Sequence, residues 1–118
     1  MLELNHKKLE VWQKSIEFIT EIYAITKNFP QDELYGLTNQ LRRASVSVAS
    51  NIAEGAARRS VNDRRRYYEI ARLSLVEIDT QLEICVNLGI IEGNEVAEMT
   101  NLINPIFAMM SRLIESTR

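Results

Sequence analysis

The chain turns on one stretch, Gln40–Gly55, which reads QLRRASVSVASNIAEG. Leu41, Ala44, Val48 and Ile52 recur at steps of three and four, the spacing of one helix face. Around that face the residues are small: Ala44, Ser45, Ser47, Ala49, Ser50, Ala53 and Gly55. A helix so thin lets a neighbouring backbone come close, because little side-chain bulk stands between the axes. The stretch therefore predicts a slim, buried helix. Two arginine pairs bracket it, Arg42 with Arg43 and Arg58 with Arg59.

The rest of the chain is compatible with a bundle around that helix. Only 4 Gly and 2 Pro occur in 118 residues, so turn signals are few and long helices are favoured. No alternating run rich in Val, Thr and Tyr argues for strands. With 46% hydrophobic and 25% charged residues, the composition is that of one soluble globular domain over residues 1–118. No apolar run is long enough to span a bilayer and no signal-peptide pattern opens the chain, so a cytoplasmic protein without membrane contact is expected. The single cysteine, Cys85, rules out an internal disulfide.

Read in order, the pattern predicts four antiparallel helices of an all-α, up-and-down bundle, at about 9–28, 37–56, 61–88 and 95–116. Residues 1–8 have no period, and His6 is expected to be exposed, with no partner at metal-ligand spacing. The first helix carries two apolar stripes. Leu9, Trp12, Ile16, Ile19 and Tyr23 form one; Val11, Phe18, Ile22, Ile25 and Phe29 form the other. At ~100° per residue the two cover about half the circumference, more than the corner of a lone bundle needs. The surplus predicts a subunit contact through Val11, Phe18, Ile22 and Ile25. Phe29-Pro30 ends this helix and Gly36 permits a turn into the second. Asn51 lies near the apolar face of the second helix and must find a hydrogen bond there. Ser60, with Asp63 after it, is the expected N-cap of the third helix, and Gly89 its terminator. The third helix presents Tyr67, Ala71, Ser74, Ile78, Leu82 and Cys85 to the core, widened by Ile70, Leu73 and Tyr68. Asn94 is the expected cap of the fourth, whose stripe is Val96, Met99, Ile103, Ile106, Met110 and Leu113. Pro105 should kink or split it.

Charge is unevenly spread. Net charge is −2, yet residues 42–72 hold eight arginines against three acids, and residues 73–118 hold two arginines against seven. Arg42, Arg43, Arg58, Arg59, Arg64, Arg65 and Arg66 are the candidate ligands of nucleic-acid phosphates. Arginine's planar fork suits phosphate, and Tyr67 and Tyr68 stand close enough in sequence to stack on unpaired bases. The competing reading pairs each arginine with Glu54, Glu69 or the acids of the last third, and the sequence pI of about 5.5 favours it. Catalytic constellations are missing: no Gly-rich phosphate loop, no Cys/His metal spacing, no Ser–His–Asp set. No enzyme, cofactor or metal site is expected.

Four segments taken together resemble a known family. LRRASVSVASNIAEG at Leu41–Gly55, VWQKS at Val11–Ser15, Phe29-Pro30 and YGLTNQ at Tyr35–Gln40 are similar to the four helix bundle protein family. Its best-known members are encoded by intervening sequences in bacterial 23S ribosomal RNA genes. It also includes accessory variability proteins of diversity-generating retroelements. The resemblance runs from about Leu9 to Ile91. Ala49 stands where the family usually has proline, Ala57 where glycine is common, and Leu73 where a small residue is frequent. The resemblance implies a homopentamer, a ring of antiparallel bundles around a central channel, in which each charge is repeated about the axis. Retroelement relatives have basic surfaces; this chain, acidic overall, looks more like the intervening-sequence branch. Two functions remain in view: a ring-forming bundle that binds RNA or DNA phosphates, and an adaptor that holds a basic partner protein.

Overall fold

The thin helix is where the sequence puts it. In the computed structural model, which describes residues 1–118, four helices run α1 (Glu10–Thr26), α2 (Asn39–Ala57), α3 (Val61–Asn87) and α4 (Gly93–Ser116), with no strand. Each helix packs on its neighbours in chain order and α1 closes on α4, the arrangement of an up-and-down bundle. The 27 residues of α3 set the longest dimension, 43 Å.

Close packing is concentrated between α2 and α3, the pair in most extensive contact. Leu41, Ala44, Ser45, Val48, Ala49, Ile52 and Gly55 form the buried face of α2. The serines are satisfied locally or across the seam: Ser45 Oγ donates to Arg42 O at 2.9 Å, and the Ser47 and Ser74 hydroxyls lie 3.0 Å apart. Asn51 finds its partners within α2, donating Nδ2 to Ser47 O at 2.8 Å and to Ser47 Oγ at 3.0 Å. Gly55 is required. A Cβ there would lie 2.6 Å from the Tyr68 ring and 3.1 Å from the Arg64 carbonyl oxygen.

The helix ends follow ordinary capping chemistry. Ser60 Oγ accepts from Asp63 N at 3.0 Å, as its spacing predicts. Gly89 takes φ +71°, the left-handed conformation that closes α3. The cap of α4 differs from expectation: Glu92, not Asn94, is the N-cap, in a reciprocal capping box with Glu95. An acidic side chain can serve as well as an amide here because the helix dipole favours negative charge. Helix α4 continues through Pro105 without interruption, so the expected split does not occur. No helix is long and apolar enough to cross a membrane.

The assignment of the stripes on α1 needs correction. Val11, Phe18, Ile22 and Ile25, expected at a subunit contact, are buried within the chain itself, Phe18 and Ile22 completely. They join Leu41, Val48, Ile52, Leu75, Ile78 and Met110 in the core. The other stripe faces partly outward, with Ile16 and Tyr23 exposed at its outer edge. On α3 a similar exchange occurs. Tyr68 enters the core in place of Tyr67, whereas Ile70 and Leu73 are exposed rather than buried. Leu73 thus occupies a family-atypical position without intruding on helix packing. His6, expected in solvent, is buried, its ring edge-on to Trp12 at 5.1 Å between centroids. Cys85 is a fully buried core thiol; burial, then the nearby Glu33 carboxylate, pushes its pKa up to about 11.

Candidate nucleic-acid interface

Five of the seven candidate arginines meet where α2 hands over to α3. The handover is short, because the backbone of Arg58 turns extended directly after α2 and Ser60 caps α3 two residues later. Arg58 and Arg59 are therefore carried on the turn itself, and Arg64, Arg65 and Arg66 on the first turns of α3. Tyr67 is the hub. The Arg58 guanidinium lies 4.7 Å from its ring centroid and that of Arg66 5.0 Å. Arg58 also donates to the Tyr67 hydroxyl at 2.9 Å. Guanidiniums this close to a ring are attracted by its negative face.

Pairing with carboxylates, which would neutralise the cluster, is sparse. Arg58 reaches Glu54 at 3.3 Å, an exposed i,i+4 pair. Arg59, Arg64, Arg65 and Arg66 have no carboxylate within salt-bridge distance, the only other ion pairs being Lys14–Glu17 and Arg72–Glu69. The acids Glu77, Asp79 and Glu83 on α3 pair with no arginine of the same chain. Arg65 is anchored instead by a carbonyl, donating Nε to Thr117 O at 2.9 Å. Arg58, Arg59, Arg65 and Arg66 are exposed and Arg64 is half-buried. The handover from α2 to α3 thus carries five arginines, against Glu54 and Asp63 in the same stretch of chain.

Arg42 and Arg43 do not belong to this cluster. They sit 16 residues earlier on α2, about 24 Å away at 1.5 Å per residue. Arg42 is occupied: its Nε donates to the Thr26 hydroxyl at 2.9 Å and its guanidinium covers Tyr23 at 4.7 Å. Thr26 is itself buried and donates to Ile22 O. Arg42 is thus a tie between α2 and α1. Arg43 is exposed and makes no ion pair, a lone charge at the far end.

Nothing in the chain groups acidic, histidine or cysteine side chains as a metal centre would require. The sequence reading missed the difference between the two tyrosines. Tyr67 organises the guanidiniums and Tyr68 is buried beside them, with its hydroxyl pKa raised by burial and partly offset by the Arg64 charge. Gly55 was the available signal, since only a residue without Cβ leaves space for the Tyr68 ring.

Comparison with known proteins adds to this geometry. No curated protein matches the chain. A solved structure from Bacteroides thetaiotaomicron VPI-5482, a protein with unknown function from the S23 ribosomal protein family, superposes with a TM-score of 0.83 over 90% of this chain and 96% of that one. At 22% identity, that likeness speaks for the fold. A family model described as 23S rRNA-intervening sequence protein matches residues 7–112. That span takes in all of α1, α2 and α3 and most of α4, and on it the chain belongs to the 23S rRNA-intervening sequence protein family.

Proposed function

We propose that this chain is a non-enzymatic helical bundle that binds RNA or DNA phosphates through Arg58, Arg59, Arg64, Arg65 and Arg66. One observation carries the reading: five arginines gather where α2 hands over to α3, two of them on the Tyr67 ring, and a single one of the five has a carboxylate partner. Unpaired guanidiniums at the surface keep their bidentate donors available, and phosphate is the acceptor that matches their geometry. The overall negative charge does not oppose this, because at about 0.15 M salt the Debye length is ~8 Å and distant acids are screened.

The bundle works as a homo-oligomer, a pentamer by family resemblance. Support for assembly now comes from exposed apolar residues, not from the buried stripe of α1. Leu73 on α3 is 57% exposed and Leu88, at its C-cap, 61%, and Ile70 and Ile84 share that outer face. A ring would repeat the arginine cluster around its axis and combine weak contacts. Light scattering should return the mass of several 13.6 kDa chains, five for the pentamer. A Leu73→Ser, Ile84→Ser double variant should dissociate it; a wild-type monomer overturns the assembly.

The binding reading is tested by gel retardation of a structured RNA at low salt. The wild type should retard it, with affinity falling steeply as salt rises. Arg58→Ala, Arg59→Ala and Arg66→Ala together should abolish the shift, and Arg43→Ala should leave it intact. No shift at low salt overturns the proposal. A second reading, an adaptor for a basic protein, draws on a cleft between α1 and α4 lined by Glu17, Glu21 and Glu98. It predicts a basic partner that stays bound after nuclease treatment.

A further inference from the structure

A cavity of ≈ 370 Å³ opens at the same end of the bundle as the arginine turn, on a different side of α3. The N-terminal turn, the last residues of α2, the start of α3 and the end of α4 border it, and it opens broadly to solvent. Its polar lining includes His6, Arg64, Tyr68, Ser116, Thr117 and Arg118, Leu9 and Leu113 form an apolar wall, and no Asp or Glu side chain contributes. A volume of this size lies within the range of about 300–1,000 Å³ usual for small-ligand sites.

His6 and Tyr68 are 7% and 5% exposed, yet neither has a hydrogen-bond partner for its side chain within the chain. Their polar atoms are reached by solvent at the cavity, since neither belongs to the fully enclosed, unsatisfied atoms of the molecule. Both are also held in place. The Tyr68 ring lies against Gly55, in space a Cβ would fill, and the His6 ring is set edge-on to Trp12. Arg64 is near enough to act electrostatically on the Tyr68 hydroxyl. Arg65 fixes the rim by its bond to Thr117 O.

We propose that this cavity binds a single phosphomonoester group, taken up by the Arg64 guanidinium, the Tyr68 hydroxyl and the His6 imidazole. A guanidinium, a phenol and an imidazole N–H are all donors, and a dianion is the acceptor that satisfies them together. Leu9 and Leu113 face whatever carries the phosphate. Its source is a free mononucleotide or the terminal phosphate of a nucleic-acid strand; the recognition chemistry is the same. Tyr67 and Tyr68 point about 100° apart on α3, so the site shares Arg64 with the proposed nucleic-acid set but does not use the Tyr67 hub.

Calorimetric titration of the full chain at low salt tests this with four probes: inorganic phosphate, adenosine 5′-monophosphate, and one short oligonucleotide with either a 5′-phosphate or a 5′-hydroxyl. Saturable binding of the mononucleotide assigns the free ligand. A roughly tenfold preference for the 5′-phosphorylated strand assigns the strand end. Tyr68→Phe keeps the ring and Arg64→Gln keeps most of the stem, and each should weaken the bound probe by roughly tenfold. Binding unaffected by both variants, or binding of none of the probes in preference to the 5′-hydroxyl strand, overturns the proposal. The Arg58, Arg59, Arg66 triple alanine variant should lose retardation of structured RNA and keep this binding, so failure of one reading is separable from failure of the other.

Discussion

The two ends of α2 both begin or end in an arginine pair, and they use it differently. At the start, Arg42 is bonded to the buried Thr26 of α1 and lies over Tyr23 of α1. At the end, Arg58 shares Tyr67 of α3 with Arg66, and Arg59 has no partner at all. Chemistry of the residue does not decide the role, because all four are arginines. Each pair has one engaged member, Arg42 or Arg58, and one without a partner, Arg43 or Arg59; what differs is whether the acceptor is buried, as Thr26 is, or half-buried and shared with further arginines, as Tyr67 is. At the start, α1 comes back alongside and supplies Thr26 and Tyr23. At the end, the chain turns immediately into α3, and the next residues are more arginines. One end is tied, the other left open.

The open end should nonetheless be the less forgiving of a change in volume. Gly55→Ala would place a Cβ 2.6 Å from the ring of Tyr68, which is buried and cannot swing aside, and 3.1 Å from the Arg64 carbonyl oxygen. Overpacking of this kind costs about 3 kcal/mol, offset by up to ~1 kcal/mol for the better helix former. A net loss of about 2 kcal/mol or more in urea unfolding is expected. A neutral result would mean that Tyr68 is free to move, and that the open end is loose in packing as well as in charge.

The tied end should show itself in alkaline titration. Cys85 lies there, near the start of α2, as the antiparallel pairing of Ser47 with Ser74 and the influence of Glu33 both indicate. Its pKa rises from an ordinary 9.0 to about 11 on folding. A folded pKa above the unfolded one means that the folded state holds its proton more tightly. The stability it contributes is complete below pH 9 and is lost as pH rises through 11. By pH 11 the loss should reach about 2 kcal/mol. Urea midpoints at pH 8 and pH 11, compared with those of Cys85→Ala, isolate the thiol's share, because the variant keeps every other titrating group.

Much of this contrast was legible beforehand. The 3.6-residue period gave the helices, and Ser60 and Gly89 marked the ends of α3, because those signals depend on local backbone chemistry alone. Which stripe of α1 faces inward was not local. Val11, Phe18 and Ile22 lie roughly 120° from Trp12, Ile16 and Ile19, and either set could have been the inner one until α2 and α4 docked. Tyr67 and Tyr68 posed the same problem on α3, resolved by the space at Gly55. His6 has no periodic neighbours, so its contact with Trp12 left no trace in the pattern. The arginines were visible as a cluster in sequence, but their lack of carboxylate partners depends on where acids 10 to 50 residues away fall in space.

Single alanine substitutions at the two ends give the finest measure of the contrast. Arg42→Ala removes the donor that reaches the Thr26 hydroxyl and uncovers Tyr23. Thr26 keeps its own bond to Ile22 O, so its hydroxyl is not stranded as a donor, and the loss should be limited to about 1 kcal/mol. Arg59→Ala touches nothing. It also removes one of five like charges crowded on the turn, so its effect should lie within ~0.5 kcal/mol and lean towards stabilisation, most visibly at low salt. The same substitution should weaken retardation of structured RNA, which Arg42→Ala should spare. A residue that costs nothing to remove from the fold, yet is missed by the ligand, is what an open end predicts. If Arg59→Ala instead destabilised the bundle as much as Arg42→Ala, its charge would be engaged in folding, and the distinction between the two ends would fail.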